Sequence, residues 1–464
     1  MNWKQPVVWI LFILFIATQS IYLTMVPALS GDEASEGENV VELWAGKRNA
    51  FEGERSYIGP FIDYVRMPFV AVLGHTTLAL RVVTLLFGLA SFWLAWWVFS
   101  YLFGEQVSLW MVAAVFFSPM YMLESRISWA ITLIPFFTLL TLFFLLRKSA
   151  YSPLLAGLAA GLGIHNHVIF APTAIAVCTS WVIAKLRKPN ELLSIVLILI
   201  GLSAGISTQF VMLWQDSEGD QGDVNAVAST IGARINNFPT LAPQLISGSS
   251  FIARYTGDEL RPRVITRITF VIVGLVILGH ILTPKRSTVV LWLIATALHL
   301  FLLLAIIDRF TLRYFITFCL SLWALAGLGL GTATIRIPRV HQWGSVALAT
   351  GLAVWMVLMV LLPYQRTGGS TDDFSLGNRT DSANGLVDTR SLFRCIEGQG
   401  SVFSENVHIL NRLVYRTHSV PQLEVARNMN TAQWLIDYRK EGEEAGELCP
   451  ELTHFRIQRR SDSE

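Results

Sequence analysis

Charge is scarce in this chain. Of 464 residues only 15% are Asp, Glu, Lys or Arg, against about 25% in an average soluble domain. The 35 basic and 33 acidic residues nearly cancel, and no strongly basic patch suggests nucleic acid as a partner. Cysteine is rarer still. There are four, with no CxxC and no Cys/His spacing of a metal site. Cys178 and Cys319 lie inside apolar runs and read as core. Cys395 and Cys449 lie in a polar tail, where an oxidising compartment would let them pair. The N-terminus begins like a signal peptide. The first apolar stretch is too long for a signal h-region and no small-x-small site follows it cleanly, so it is expected to remain as a first span.

Apolar length is in excess. Hydrophobic residues make up 53% of the chain, and the mean hydropathy is +0.51. A run of about 18 or more such residues can cross a hydrocarbon core about 30 Å thick. Inside lipid the backbone must satisfy its own hydrogen bonds, so each run should be a helix. Eleven candidate spans fall at approximately 7–29, 78–102, 107–123, 128–146, 152–166, 168–185, 191–213, 264–282, 288–306, 310–332 and 342–362. With the N-terminus inside, the cytoplasmic loops carry Arg147, Lys148, Lys185, Arg187, Lys188, Lys285, Arg286, Arg336 and Arg339. That is the asymmetry of the positive-inside rule. Acidic segments, 32–54 and 216–223, fall on the other side. The same rule divides 152–185 into two short helices, because a single span would put Arg147 and Lys185 on opposite faces.

The expected fold is therefore an all-α polytopic membrane protein with about 11 transmembrane helices, over residues 1–362. A Gly-, Ser-, Thr- and Asp-rich linker follows at 363–385, then a small extracytoplasmic α/β domain at 386–464. The expected location is the cell (inner) membrane, with the N-terminus cytoplasmic and the C-terminus outside.

Two outer loops are long, 30–77 and 214–263. The first opens Gly31-Asp32-Glu33-Ala34-Ser35-Glu36 and continues with two apolar-periodic stretches that read as helices lying on the membrane surface. Asp32 and Glu33 thus sit near the bilayer under a lid. A carboxylate there can serve as a general base; equally, acids at this position cap a helix. Arg81 and Arg126 open the second and fourth spans, and Arg309, Arg313 and Tyr314 flank the tenth. Charge at membrane depth tends to be functional, and the planar guanidinium suits phosphate. The alternatives are snorkelling to headgroups or a local Asp308–Arg pair. His165 and His167 lie at an outer turn, as a polar turn or as groups that orient a sugar or acceptor. The 216–223 stretch lacks the order of a calcium loop and reads as solvated.

In order and placement these segments resemble the C-type glycosyltransferase superfamily, in particular relatives of protein mannosyltransferases and aminoarabinose transferases. The match runs through Gly31-Asp32-Glu33-Ala34, Leu80-Arg81 to Gly88, Ser118-Pro119 to Glu124-Ser-Arg126, Gly157 to His165-Asn-His167, and Arg313-Tyr314. It covers about residues 1–335. The resemblance implies a sugar donor on polyprenyl phosphate, an acceptor hydroxyl, and inversion at the anomeric carbon. It implies Asp32, with Glu33, as the catalytic acids. It places Arg126, Arg309, Arg313 and Tyr314 at the donor phosphate, with Glu124, His165, His167 and Arg81 near the substrates. No cofactor is implied, and metal independence is expected. Many relatives carry a second acid after the Arg that corresponds to Arg126; here Ile127-Ser-Trp129 follows, leaving Glu124 as the substitute. Rival readings are a lipid-linked glycan transporter or flippase, a polysaccharide ligase or polymerase using Arg234, Arg254, Arg261 and Arg263, and a membrane scaffold.

Overall fold

The computed structural model describes residues 5–27, 29–48, 57–185, 192–216, 224–256, 260–307, 312–335 and 337–367, and in the C-terminal part 373–375, 378–380, 392, 395–396, 401–404, 410, 414–415, 424–426, 432, 434–438, 448–449 and 455–459. Among the described residues seventeen α-helices run in chain order: α1 (Pro6–Ser20), α2 (Gly31–Trp44), α3 (Phe61–Leu73), α4 (Thr77–Phe103), α5 (Glu105–Phe116), α6 (Pro119–Glu124), α7 (Ile134–Leu146), α8 (Ser152–Asn166), α9 (Ala171–Lys185), α10 (Leu192–Asp216), α11 (Val224–Ser247), α12 (Ser249–Thr256), α13 (Pro262–Leu282), α14 (Arg286–Ile306), α15 (Ile316–Thr334), α16 (Pro338–Met356) and α17 (Leu362–Thr367).

A helix lies at each of the eleven expected spans. Among the described residues six helical stretches are long and apolar enough to cross a membrane, and four shorter apolar helices accompany them. Phe270, Leu192, Ile277 and Phe301 are exposed on the outside of the bundle, as lipid-facing positions are. The break expected near His167 is present: α8 ends at Asn166 and His167 is extended at φ −160°. The 214–263 segment, expected as an outer loop, holds the helices α11 and α12. Close packing comes from small residues at four-residue spacing. Gly157 and Gly161 of α8 face Gly201 and Gly205 of α10, and a Cβ on any of the four would strike backbone of the opposite helix.

The C-terminal part carries a hairpin, β1 (Asp373–Ser375) with β2 (Asn378–Thr380), inside the stretch read as a linker. Beyond it lies a sheet of β3 (Ser401–Phe403), β4 (Glu424–Val425), β5 (Trp434–Tyr438) and β6 (Phe455–Arg459) in the order β4-β3-β5-β6. β3 is parallel to β4 and β5, and β6 is antiparallel to β5 with Ile436 opposite Ile457. Leu392, Ile396, Val402, Ile436 and Ile457 form its core. Cys395 and Cys449 are disulfide-bonded, with Cα atoms 6.3 Å apart. Cys319 is buried and Cys178 half-buried, both unpaired.

Candidate active site

The start of α2 is built by its own sequence. Ser30-Gly-Asp-Glu33 has capping-box spacing. The Glu33 amide donates to Ser30 Oγ at 3.1 Å, and the Ser30 amide donates to Glu33 Oε2 at 3.2 Å. The turn fixes two opposite directions for the adjacent acids.

Glu33 points inward and is fully buried. Arg81 of α4 grips it with Nε at 2.8 Å from Oε1 and Nη2 at 2.6 Å from Oε2. The Ser128 amide adds a third bond, 2.7 Å to Oε1. Arg81 Nη1 donates to the carbonyls of Leu23 and Pro27 at 2.8 and 2.7 Å. A fork-to-fork pair in a dry setting is strong only when such further bonds satisfy it, and here they do. Glu33 and Arg81 therefore tie the turn before α2 to α4 and to the 125–129 loop, and neither lines the pocket.

A second buried pair lies one turn along α2. Arg66 of α3 meets Glu36 at 2.6 Å and Asp63 at 3.4 Å, and its Nε donates to Ser128 Oγ at 3.1 Å. Burial alone would lower the Arg66 pKa; Glu36, then Asp63, carry it above its ordinary value. Arg126 is also buried. It donates to the carbonyls of Thr18, Ile21 and Val26 at 2.5, 2.8 and 3.2 Å, so it satisfies the end of α1. Glu124 is fully buried at the end of α6 and is likewise away from the pocket lining.

Asp32 points the other way, into a small cleft lined by Asp32, Glu36, Tyr57, Trp129, His167, Arg313 and their neighbours. Its Oδ2 accepts from Arg313 Nη1 at 2.9 Å, with side-chain exposures of 14% and 19%. The pair is thus shielded yet reachable. The Arg313 guanidinium lies 4.4 Å from the centre of the Trp129 ring, a cation–π geometry. Trp129 Nε1 in turn donates to Ser30 Oγ at 3.1 Å, so the cap of α2 anchors the ring under Arg313. Tyr314 stands beside it, its ring 6.2 Å from that of His167. His167 Nδ1 accepts from the Ile169 amide at 3.2 Å, which leaves the proton of the neutral ring on Nε2.

The loop before α3 is stitched to the turn after α8. The Gly59 amide donates to the His165 carbonyl at 2.9 Å and the Val168 amide to the Tyr57 carbonyl at 3.0 Å. The His165 ring packs on Gly59, outside the cleft lining. Arg309 lies outside the described residues, as do the side chains of Arg234 and Arg254. Arg261 and Arg263 are exposed at the start of α13.

Of the residues singled out in the sequence, the cleft brings together Asp32, His167, Arg313 and Tyr314. Sequence reasoning missed Glu36, Tyr57 and Trp129. Glu36 had a signal: it is four residues from Asp32 and so shares its face of α2. It is the second carboxylate of the cleft. Among the described residues no three His, Cys, Asp or Glu side chains converge as a metal site does.

A separate apolar cavity of about 330 Å³ lies between α4, α5, α7, α9, α14 and α15, with Phe99, Leu142, Trp181, Leu291 and Phe318 in its wall. Some of its wall residues are close in sequence to the cleft. Thr317 is three residues beyond Tyr314, Pro135 four beyond Ile131, and Thr173 six beyond His167.

This arrangement is set in a fold shared with solved structures. The chain is similar to ArnT from Cupriavidus metallidurans bound to undecaprenyl phosphate, with a TM-score of 0.59 at 12% identity over 94% of this chain and 93% of that one. It is similar to the apo state of the same protein at a TM-score of 0.54, 12% identity and 91% of each chain. The apo oligosaccharyltransferase of Archaeoglobus fulgidus aligns at a TM-score of 0.48 and 11% identity, over 94% of this chain and 69% of that one. No protein-family model and no curated protein sequence matches the chain.

Proposed function

We propose that this protein is an integral membrane glycosyltransferase that moves a sugar from a polyprenyl-phosphate donor to an acceptor hydroxyl, with inversion, and that Asp32 is the base. The observation that carries the proposal is the shielded Asp32–Arg313 pair in a cleft whose lining residues Ile131, His167 and Tyr314 lie within a few positions in sequence of wall residues of an apolar cavity. A donor of this class has one anionic headgroup and a long apolar tail. The tail fits a cavity that is almost wholly hydrocarbon, and the phosphate fits the Arg313 guanidinium of the cleft. The ArnT structure that shares the fold holds undecaprenyl phosphate, a ligand of the same chemistry.

In the reaction the acceptor oxygen attacks the anomeric carbon from the face opposite the phosphate. The bond from that carbon to the phosphate oxygen breaks, its electron pair leaves on polyprenyl monophosphate, and the acceptor proton passes to Asp32. In the resting cleft one Asp32 oxygen is taken up by Arg313. The donor phosphodiester carries one negative charge, as Asp32 does, offers Arg313 two unesterified oxygens, and gains a second charge as the sugar leaves. Its arrival moves the guanidinium along the Trp129 face and frees the Asp32 oxygen for the acceptor proton. Arg313 then meets the charge that builds on the leaving phosphate, and His167 lies in the same cleft, where its ring can approach a sugar or phosphate oxygen. Glu36 stays ionised beside Arg66 and holds α2 in place.

The same reading sets the cleft on the extracytoplasmic side of the inner membrane. Arg147 over Phe143 and Lys185 over Trp181 mark the far ends of α7 and α9, where basic and aromatic residues anchor a cytoplasmic boundary.

The test is product analysis. Purified protein in lipid is given a radiolabelled polyprenyl-phosphate sugar and an envelope acceptor. Labelled acceptor and free polyprenyl monophosphate in equal amounts support the proposal. Movement of the intact donor across the bilayer without its cleavage overturns it.

A further inference from the structure

The C-terminal domain reaches the helix that carries Asp32 through Tyr415. This residue is fully buried and packs in a cluster with Leu29, Ala34, Val40, Ala79 and Leu80. Among the described residues it is the one member of that cluster from beyond position 363. Its ring lies flat on Gly37: a Cβ there would sit 2.6 to 3.0 Å from ring atoms Cε2, Cζ and Cδ2. The His75 ring stands edge-on to it at 6.5 Å, and the hydroxyl donates to the Thr76 carbonyl at 3.5 Å. Tyr415 is thus wedged between α2, the turn before α4 and the first turn of α4.

Glycine in the middle of α2 weakens that helix locally. It is the residue that lets an aromatic ring touch the helix backbone. Gly37 is four residues beyond Glu33, on the face that Arg81 grips, and five beyond Asp32. α2 is therefore held on one face at two levels, by Arg81 at its start and by Tyr415 one turn on. The catalytic face, with Asp32 and Glu36, points away from both. Small rotations of α2 about its axis would swing Asp32 across the cleft, and Tyr415 is placed to block them.

We propose that Tyr415 is a positioning residue: it seats α2 so that Asp32 keeps its bearing in the cleft, which makes the disulfide-bonded C-terminal domain a part of the active-site architecture. Its catalytic consequence rests on the glycosyltransferase reading; the seating itself does not.

The experiment uses the full chain in lipid nanodiscs, with Tyr415→Ala, Tyr415→Phe and Gly37→Ala. Amide hydrogen exchange over 31–44 is measured beside kcat and donor KM. Tyr415→Ala and Gly37→Ala are expected to raise exchange in 31–44 selectively. They are also expected to lower kcat about tenfold or more while donor KM stays within about twofold, since misplacing a reacting group by about 1 Å can have effects of this size. Tyr415→Phe is expected to behave as wild type. Gly37→Ala raises helix propensity and would by itself slow exchange, so faster exchange in that variant reports the lost seat and not a weaker helix. Unchanged exchange and kcat in both variants overturn the proposal, as does an exchange increase spread evenly over all helices. If wild type turns over no donor, the enzymatic reading falls, while exchange over 31–44 still decides for or against the seat.

Discussion

Arg81 and Glu33, 48 positions apart in the sequence, meet inside the protein through two hydrogen bonds of 2.8 and 2.6 Å, with both side chains fully excluded from solvent. This contact explains how two adjacent acids have different tasks. Glu33 spends its oxygens on Arg81, Ser128 and Ser30, and Asp32 is left to face the cleft.

Removing one partner of such a pair leaves an uncompensated buried charge, at a typical cost of about 3–5 kcal/mol. Arg81→Ala is therefore expected to lower the thermal unfolding midpoint sharply and reduce the yield of folded protein. Asp32→Asn should leave both near wild type. Fluorescence-monitored unfolding in detergent checks this. Equal stability of Arg81→Ala and wild type would contradict the role given to the pair.

Arg313 serves both Asp32 and, on the proposed reading, the donor phosphate. Arg313→Ala is expected to lower kcat about 10²–10³-fold, the range seen when a preorganised stabiliser of developing charge is removed. Trp129→Ala removes the face beneath it and should have a smaller effect, about 2- to 30-fold for a contact of about 0.5–2 kcal/mol. Steady-state kinetics on the two single variants and the double variant check this. A double variant that equals Arg313→Ala alone would show that Trp129 acts through Arg313, whereas fully additive effects would contradict that.

Arg126 divides the sequence reading from the structure. The resemblance put it at the donor phosphate, but it binds the carbonyls that end α1. Arg126→Lys is expected to lower stability while donor KM stays within about twofold, because ammonium cannot reproduce the forked geometry. Weaker donor binding with unchanged stability would support the phosphate role.

The helices were readable in the sequence because spanning runs of apolar residues have no other stable form in lipid, and α4, α8 and α14 begin within a few residues of the expected positions. Asp32, His167 and Arg313 were readable because each stands at the end of a helix where charge is otherwise avoided. The division of labour among Arg81, Arg126 and Arg313 was not. All three sit at the start of a span, and which way each points depends on partners far along the chain: Glu33 for Arg81, Thr18 for Arg126, Asp32 for Arg313. Trp129 appeared in the sequence only as the residue standing where an acid was expected. Its use became visible once the 312–315 turn was folded over it. Glu36 was passed over because Asp32 and Glu33 are adjacent, although helical periodicity pairs Asp32 with Glu36.

A monophosphate leaving group that faces a guanidinium has less need of a metal ion than a nucleotide diphosphate would. Exhaustive chelation is expected to leave the transfer rate within about twofold, a difference too small to signify a lost Lewis acid, which is worth several kcal/mol. The assay is run after chelator dialysis, with and without added magnesium or manganese. A large loss that either ion restores would contradict the expectation.

The most direct test of the account is Asp32→Asn in the polyprenyl-phosphate sugar transfer assay, with thermal unfolding measured on the same preparation. The account predicts wild-type stability, a donor KM little changed, and a fall in kcat of about 10²–10⁴-fold, the usual worth of a general base. Transfer at the wild-type rate in the folded variant would contradict it and reduce Asp32 to a cap on α2.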